Sequence, residues 1–508
     1  MKTILATLAL LVASLAPAQH IHVEAAIEGG AKVGHNVLVV TIKDHAGGPV
    51  RDANVMVTAD MATMRMGEQK PPVTNRRDGT YTAELHFSMA GPWKVEVHAN
   101  SPSQGEAHAS FTFDTQGGMQ HEDHGQHGMQ GRLNNWPMNK EGSGTSLLPA
   151  SSPMYMLHLG NSGGYDLSAM GFMTYNFTDA GGRRGESRFF SNSMLMLMGV
   201  KPGEKETTGF SVMLSLDPLF NGRYGYPNLF QTGETAYGEP LADFQHPHDL
   251  LVEVAGTYSR EVAPGSRAFL YVAPVGEPAL GGPTFMHRPS GVEIPEAPIG
   301  HHWFDATHIS WGVVTVGLNA QTWQIEGSLF NGHEPDENRY SPDTLSLNST
   351  AGRVTFTPTR DLAFNVAYGY LDEPESHDPG VNVHRLTAAA LWNRGDFALG
   401  ATFGRNIKEG ESTDSWLLEA TYAKGENTFF ARWENVAKDE LVGVPDGTYK
   451  INKFLLGGVR EVSHFDGLDL GLGAYVGFYS FPSSLEPFYG SNPITAGVFF
   501  RLRPGRMN

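Results

Sequence analysis

The sequence predicts an all-β protein in which a small immunoglobulin-like sandwich precedes an antiparallel transmembrane β-barrel of about 16 strands. Strand-like segments with alternating apolar and polar residues follow one another through most of the chain. Between residues 136 and 508 the connections alternate between long and short, which is typical of outer-membrane barrels. The 508 residues include 60 glycines, and no apolar run beyond the amino terminus approaches the length of a membrane-spanning helix.

The chain opens with the pattern of a secretory signal. Met1 and Lys2 supply the positive charge, an apolar run covers residues 4–15, and Ala-Pro-Ala provides the small residues of a cleavage site. The apolar run is too short to span a bilayer as a helix. We therefore assign residues 1–19 to a signal peptide and expect a secreted protein.

Composition narrows the chemistry of any site. The chain has no cysteine, which excludes disulfides and thiolate metal sites and leaves His, Met, Asp and Glu as metal ligands. The formal net charge of −18 argues against a nucleic-acid partner and suits attraction of cations. We expect no nucleic acid among the partners.

Residues 20–114 have the pattern of a sandwich of immunoglobulin type. The segments VLVVTIKD, NVMVTAD, GTYTAELHF and WKVEVHA alternate in strand fashion and are separated by turns. The stretches GGPVRDANVMV, MATMRMG, PPVT and DGTYTAELHFSMAGPWKVEVHA resemble the periplasmic YtkA-like (FixH-like) domain family over most of residues 33–113. The resemblance implies this fold and a metal-handling context.

The sandwich also contains candidate soft-metal ligands. Met61, Met64 and Met66, with His86 nearby in sequence, offer thioether and imidazole groups that select Cu(I) when no thiolate is present. The alternative is that these methionines fill an irregular edge of the sandwich.

A tether rich in Gly, Gln and His is predicted at residues 115–135. It has no apolar period, so it should be flexible. His121, His124 and His127 recur every three residues and could collect divalent ions with low selectivity. The alternative is a solvated tether without metal.

Residues 136–508 are predicted to form the barrel. We count sixteen segments of alternating character, from DLSAMGFMTYNF to ITAGVFFRLR. Short turns of such barrels face the periplasm, and an even number of strands leaves both ends on that side. The sandwich would then lie in the periplasm.

Long loops at residues 218–248, 275–306 and 332–348 should share one rim of the barrel. Seven of the 21 histidines fall between residues 246 and 333. Neighbouring strands lie about 4.8 Å apart, so groups at matching strand ends can converge within reach of one metal ion. The predicted ligands are these imidazoles and two nearby carboxylates: His246, His248, Asp249, His287, His301, His302, Asp305, His308 and His333.

Two other interpretations of these loops remain open. Long polar loops can fold into the lumen as a hydrogen-bonded plug without an ion. The sequence HPHD at residues 246–249 also occurs in metal-dependent hydrolases, where zinc activates water. The chain has no Gly-x-Ser-x-Gly elbow and no P-loop, and we expect no catalytic site.

The barrel motifs add a second resemblance. QTGETxxGEP, QHPHD, FMHRPS, GHHWxDxTHIS, FNGxEPDENR and the terminal RLRPGRM resemble a bacterial outer-membrane family that accompanies copper and heavy-metal resistance systems, over nearly all of residues 142–507. The resemblance implies an outer-membrane location and a metal context rather than a mechanism. We therefore predict a protein that binds or moves metal ions, copper first and zinc second. Its partners would be outer-membrane lipid and periplasmic metal-export components. The alternative is a general porin or structural barrel with a polar plug.

Overall fold

A computed structural model describes two compact units, residues 1–126 and 127–508, and each is treated by itself. The predicted signal peptide, Met64, Met66 and the tether histidines lie outside the described residues. Among the residues that are described, no helix is long and apolar enough to cross a membrane. The described ranges are 21–28, 30–31, 34–61, 69–87, 91–115, 129–376 and 378–507.

The first unit is a small β-sandwich, as predicted. One sheet has the strand order β1-β2-β5-β4 and the other β3-β6-β7. Alternate side chains point inward, and Trp93 stacks on Phe87 in the core with ring centroids 4.9 Å apart. The strands are β1 (Ile21–Ile27), β2 (Gly34–Asp44), β3 (Asn54–Met61), β4 (Val73–Asn75), β5 (Thr80–Phe87), β6 (Gly91–Ser101) and β7 (Gly105–Thr115).

The second unit is a closed antiparallel barrel of sixteen strands, which confirms the predicted fold class. The chain first forms β8 (Met154–Ser162), which is not among the sixteen predicted segments. The barrel wall consists of β9 (Tyr165–Ala180), β10 (Ser187–Lys201), β11 (Glu206–Leu214), β16 (Leu251–Ala263), β17 (Ser266–Gly276), β18 (Ser310–Ala320), β19 (Trp323–Phe330), β20 (Ser349–Thr359), β21 (Leu362–Leu371), β22 (Val383–Arg394), β23 (Phe397–Lys408), β24 (Glu411–Lys424), β25 (Asn427–Lys438), β26 (Tyr449–Phe465), β27 (Leu468–Ser480) and β28 (Ile494–Pro504).

Shorter elements lie in the loops and at the seam where the barrel closes. β9 pairs with β28 along one half of its edge and with β8 along the other half. The remaining elements are the strands β12 (Tyr226–Pro227), β13 (Glu234–Ala236), β14 (Glu239–Leu241), β15 (Phe244–Gln245) and β29 (Arg506–Met507), the helices α1 (Asp217–Asn221), α2 (His301–Phe304) and α3 (Glu486–Tyr489), and the 3₁₀ helices Met138–Lys140, Ala306–His308 and Ser483–Leu485.

The outer surface of the barrel is apolar, and its interior contains many buried polar side chains. On β20, Val354 and Phe356 are 51% and 49% exposed, whereas the alternate residues Arg353 and Thr355 are each 1% exposed. A strand of a soluble protein points its apolar residues inward. The reverse order is typical of a barrel that faces lipid.

The connections alternate in length as predicted. Turns of two residues join β16 to β17, β18 to β19 and β20 to β21, while the opposite rim has three long loops. We call these loop A (residues 215–250), loop B (277–309) and loop C (331–348). One turn on the long-loop rim, at residues 409–410, is as short as those on the other rim.

The lumen is filled by the lumenal segment, residues 129–153, and by loop B. Within the segment Arg132 pairs with Glu141 at 3.1 Å, and Asn134 donates a hydrogen bond of 2.8 Å to Asn319 of the wall. Residues 131–134 are buried. The tether was predicted to extend to residue 135, but residues 131–134 belong to the barrel interior, where Arg132 and Asn134 have polar partners.

Loop B is anchored across the lumen by buried ion pairs. Arg288 contacts Asp305 at 2.9 Å within the loop and Glu419 of β24 at 3.0 Å. Lys453 of β26 pairs with Glu296 of the loop at 2.7 Å. Each charge has a partner, so the loop can lie in the lumen without leaving isolated charges there.

Candidate metal centre

Five buried imidazoles from loops A and B meet in one cluster, which we call the histidine ring. Each member lies beside two others around a closed circuit. The centroids of consecutive rings are 5.1 to 6.3 Å apart. The order of long and short loops predicts that histidines of successive long loops converge at one rim, and the structure brings five of them together: His246, His248, His308, His301 and His302.

Short local elements set the directions of these side chains. Helix α2 begins at His301, so His301 and His302 project from adjacent positions of one turn. The 3₁₀ helix Ala306–His308 follows and returns His308 to the same cluster. The backbone of Gly233 approaches His302 so closely that a Cβ there would lie 2.5 Å from Nδ1 of the imidazole. A residue larger than glycine at position 233 would displace His302.

Three members of the ring are oriented through their Nδ1 atoms. Nδ1 of His248 lies 2.8 Å from Asp217, Nδ1 of His301 lies 2.7 Å from Oδ1 of Asp305, and Nδ1 of His308 lies 2.7 Å from the carbonyl oxygen of Asp305. Carboxylate and carbonyl oxygens only accept hydrogen bonds, so each Nδ1 donates, and Nε2 is the nitrogen left for an ion. Fixing one imidazole nitrogen this way is common for histidines that bind metal through the other.

The ring also contains a triad of ligand atoms with the spacing of a metal site. One atom each from Glu234, His246 and His302 lies within 4.8 Å of the other two, and among the residues that the structure describes this is the one such group. All three side chains are less than 10% exposed. Nε2 of His246 is 3.0 Å from Oε1 of Glu234.

Both ring nitrogens of His246 face oxygen acceptors. Nδ1 lies 3.2 Å from the carbonyl oxygen of Pro247, and Nε2 faces Oε1 of Glu234. Burial lowers the pKa of His246 to about 4, so the ring is neutral at pH 7. A neutral imidazole has one proton for these two acceptors, so one of its nitrogens faces an oxygen with a lone pair. A cation bound between Nε2 and Glu234 would leave the proton on Nδ1 for the carbonyl oxygen and satisfy both contacts.

Glu234 is held in its ionised form. Burial favours the neutral acid, but His246 and Arg339 hold the pKa of Glu234 below its ordinary value. Arg339 of loop C contacts the second carboxylate oxygen at 3.0 Å. Burial likewise lowers the pKa of His302 to about 4. The triad thus presents one anionic oxygen and two neutral nitrogens, a set that suits zinc or copper.

Asp249 and Asp305, the two carboxylates predicted as ligands, do not belong to this triad. Asp249 pairs with Arg339 at 3.3 Å and accepts from the indole of Trp311. Asp305 orients His301 and pairs with Arg288. Their partners are cations and ring protons, so both act here as supports for neighbouring side chains.

Two of the predicted histidines lie outside the ring. His333 is exposed at the start of loop C, and the next residue, Glu334, approaches His302 instead, with Oε1 2.9 Å from Nδ1. His287 lies in a separate cavity lined by methionines. The reason is the same for His333 and His287. Neighbouring residues of one loop can point to different sides of the lumen, so closeness in sequence to a residue near the ring does not place a side chain in it.

The sandwich residues do not form one described site. Met61 ends β3 in one sheet, whereas His86 lies on β5 in the other sheet. The imidazole of His86 packs on that of His35 of the adjacent strand, with centroids 4.9 Å apart.

Glu234 and Asp217 are not among the residues that the sequence pattern indicates. Glu234 lies in the stretch QTGETAYGEP, where two glutamates follow glycines, but nothing in the spacing shows that it faces His246. Asp217 precedes a proline at the start of α1, which resembles an ordinary helix start. Glu334 directly follows the predicted ligand His333, which is the one signal that the sequence offers for it.

Two comparisons with known proteins found proteins similar to parts of this chain. Residues 16–98 match the model of the YtkA-like family, so a YtkA-like domain is present. The chain is similar to OmpF of Salmonella typhi in complex with daunomycin, with 10% identity, 68% of this chain and 99% of that chain covered, and a TM-score of 0.44. An anion-selective porin from Comamonas acidovorans has 12% identity, 67% and 99% coverage and a TM-score of 0.41. The outer membrane channel DcaP of Acinetobacter baumannii has 10% identity, 68% and 99% coverage and a TM-score of 0.40. No curated protein matches the chain.

Proposed function

We propose that this protein is an outer-membrane barrel that binds a transition-metal ion in the plug formed by its long loops. Glu234, His246 and His302 hold the ion. The other three imidazoles of the histidine ring and Glu334 surround it and supply further ligands. The observation that carries the proposal is the convergence of Glu234, His246 and His302, in which one ligand atom of each lies within 4.8 Å of the other two, at a histidine with two acceptors for one proton.

The ligand types favour copper(II) first and zinc second. Imidazole and carboxylate groups bind both ions, and copper(II) binds most tightly among the divalent first-row metals. A purely structural network would pair each nitrogen with a donor or acceptor. In the ring, Nε2 of His248 and Nε2 of His308 are buried without a hydrogen-bond partner. Metal ligands are the side chains for which such free lone pairs are expected.

The remaining parts of the chain support a role in handling metal at the outer membrane. The outward row of apolar side chains on the barrel suits lipid, and both ends of the sixteen-strand wall lie on the short-turn rim, which faces the periplasm in barrels of this kind. The YtkA-like sandwich and the histidine tether would then offer ions from the periplasm. Metal-export components of that compartment are the partners this arrangement suits.

The test is titration of the full-length protein in detergent with copper(II) and with zinc(II). A background variant with His121, His124 and His127 changed to alanine removes binding by the tether. In that background we expect one tight copper(II) site, and we expect the pair His246→Ala and His302→Ala to weaken it by about 100-fold or more.

His333→Ala is the matched control, since it removes an exposed imidazole of the neighbouring loop and leaves the triad in place. It should bind copper as the background variant does. Heat-modifiable migration on gels checks that each variant retains the folded barrel. Unchanged copper affinity in the double variant, with the barrel folded, would overturn the proposal.

A second function, that of a porin with a polar plug, is favoured by the ion pairs that span the lumen. The ion pairs of Arg288 and Lys453 attach loop B to the wall strands β24 and β26 without any metal. In that case planar-bilayer recordings should show a conductance that copper and zinc leave unchanged.

A further inference from the structure

A second cluster of possible ligands lies in the barrel, apart from the histidine ring. Ten of the 19 methionines in the chain belong to one group inside the barrel. Eight of them line a cavity of about 120 Å³ between the lumenal segment, loop B and the wall, next to the short turn at residues 395–396. We call it the methionine cavity, and its methionines are Met138, Met154, Met156, Met170, Met194, Met196, Met198 and Met286.

Strand β10 shows that methionine is specific to the side that faces the cavity. Met194, Met196 and Met198 point inward and are 2 to 5% exposed. The intervening Leu195 and Leu197 point outward and are 42% and 40% exposed. Leucine fills an apolar surface as well as methionine does, so hydrophobicity alone does not explain why the two residues alternate. The thioether sulfur is what distinguishes the inward positions.

A nitrogen without a partner also faces this group. Nε2 of His287 is buried and has no hydrogen-bond partner, and the imidazole lines the cavity directly after Met286. A neutral imidazole among thioethers is a soft donor set. A hydrocarbon ligand would leave this nitrogen unsatisfied, whereas a metal ion would use it.

The charges on the cavity wall favour a monovalent ion. Arg132 pairs with Glu141 at 3.1 Å, and Arg503 pairs with Glu293 at 2.5 Å, while Arg501 contacts the same glutamate. These carboxylates are already neutralised by arginines, so the donors left to a ligand are uncharged sulfur and nitrogen. Hard or divalent cations prefer anionic oxygen, whereas Cu(I) and Ag(I) prefer thioethers.

We infer that the methionine cavity binds a soft monovalent metal ion, Cu(I) or Ag(I), through thioethers of β10 and the lumenal segment together with His287. This site is independent of the proposed histidine site. The two differ in ligand type, in preferred ion and in position, since the cavity lies by the short turns and the ring is formed by the long loops. Phe285, which packs on His301 and belongs to the methionine group, separates them.

The test uses the full-length protein in detergent, titrated with Ag(I) as a redox-stable probe. The variant M194L/M196L/M198L removes three sulfurs and keeps nearly the same volume, so the barrel should fold. We expect its Ag(I) binding to weaken by about tenfold or more at one site. We also expect X-ray absorption of the Cu(I)-loaded protein to lose sulfur scattering relative to the parent.

The matched control, M56L/M213L/M507L, removes three sulfurs that do not line the cavity and should bind Ag(I) as the parent does. The variant with His246→Ala and His302→Ala should also keep this Ag(I) site, which separates the inference from the proposed function. Equal Ag(I) binding by M194L/M196L/M198L and the parent overturns it. The inference is also overturned if the apolar dye N-phenylnaphthylamine binds in the cavity and Ag(I) does not displace the dye.

Discussion

Nε2 of His246 lies 3.0 Å from Oε1 of Glu234, while Nδ1 of the same neutral ring lies 3.2 Å from the carbonyl oxygen of Pro247. We predict that Glu234→Gln satisfies both nitrogens, because the amide nitrogen can donate to Nε2 while Nδ1 donates to the carbonyl oxygen. Copper(II) affinity should fall by at least about tenfold with loss of the anionic ligand, while the thermal stability of the metal-free protein should be equal or higher. Titration and thermal unfolding in the tether-alanine background measure both. A metal-free variant less stable than the parent would show that the two atoms already share a proton.

The buried imidazoles predict the pH dependence of stability. Burial lowers the pKa of both His246 and His302 from 6.5 to about 4. Between these pH values the two histidines bind protons in the unfolded chain but not in the folded protein. The free energy of unfolding is therefore highest above pH 6.5 and falls as the pH drops towards 4. Each group contributes about 3 kcal/mol across that window. The midpoint of thermal unfolding, measured without metal from pH 7 to pH 4, should decrease, and the decrease should be smaller in the variant with both histidines changed to alanine.

The same pKa values predict that the site keeps its metal in mildly acidic solution. Protons compete with a metal only below the pKa of the ligand, which for these two imidazoles is about 4. Copper(II) affinity should therefore change little between pH 7 and pH 5. A site of exposed imidazoles with a pKa of about 6.5 would lose roughly tenfold per pH unit and per ligand over that range. Competition titrations at both pH values in the tether-alanine background distinguish the two cases.

The ion pairs of Arg288 predict how firmly loop B plugs the barrel. Replacing Arg288 with methionine leaves Asp305 and Glu419 buried with one partner fewer, a change that typically costs about 3 to 5 kcal/mol. We expect loop B to loosen, single-channel conductance to rise and protease cleavage within residues 277–309 to appear. Arg405→Ala is the control, because its pair with Asp414 is about 40% exposed on both sides and is worth at most about 1 kcal/mol. Equal conductance in the two variants would show that other contacts hold the loop.

Most of the fold could be predicted from the sequence because its strands repeat one alternating pattern. Most of the site could not, because it depends on contacts between loops. Val354 and Arg353 follow each other on β20 with opposite environments, and such alternation is visible in the sequence because it repeats on every strand. The convergence of His248 and His301 followed from the order of long and short loops. The approach of Glu234 to His246 did not, because it depends on the turns within loop A.

The methionine cavity was missed for a related reason. Its residues come from the lumenal segment, from β8 to β10 and from loop B, so no single stretch shows the cluster. The alternation of Met and Leu at residues 194–198 was the visible part, and it resembled an ordinary apolar strand. Only the closure of the barrel shows that these methionines face Met286 across the lumen.

The outward face of the barrel gives a direct test of whether lipid surrounds it. Val354 is 51% exposed on the barrel and is paired with Ile325 and Val366, which are 54% and 53% exposed. If this surface faces lipid, Val354→Lys places a charge in hydrocarbon and costs about 2 to 4 kcal/mol near the centre of the membrane. Met56→Lys is the matched control, since Met56 is 54% exposed on the sandwich, where water surrounds it and the change should cost less than about 0.5 kcal/mol. Unfolding by urea in lipid vesicles measures the first variant, and spectroscopic unfolding of the sandwich measures the second. A cost at Val354 as small as that at Met56 would mean that water, and not lipid, covers the outside of the barrel.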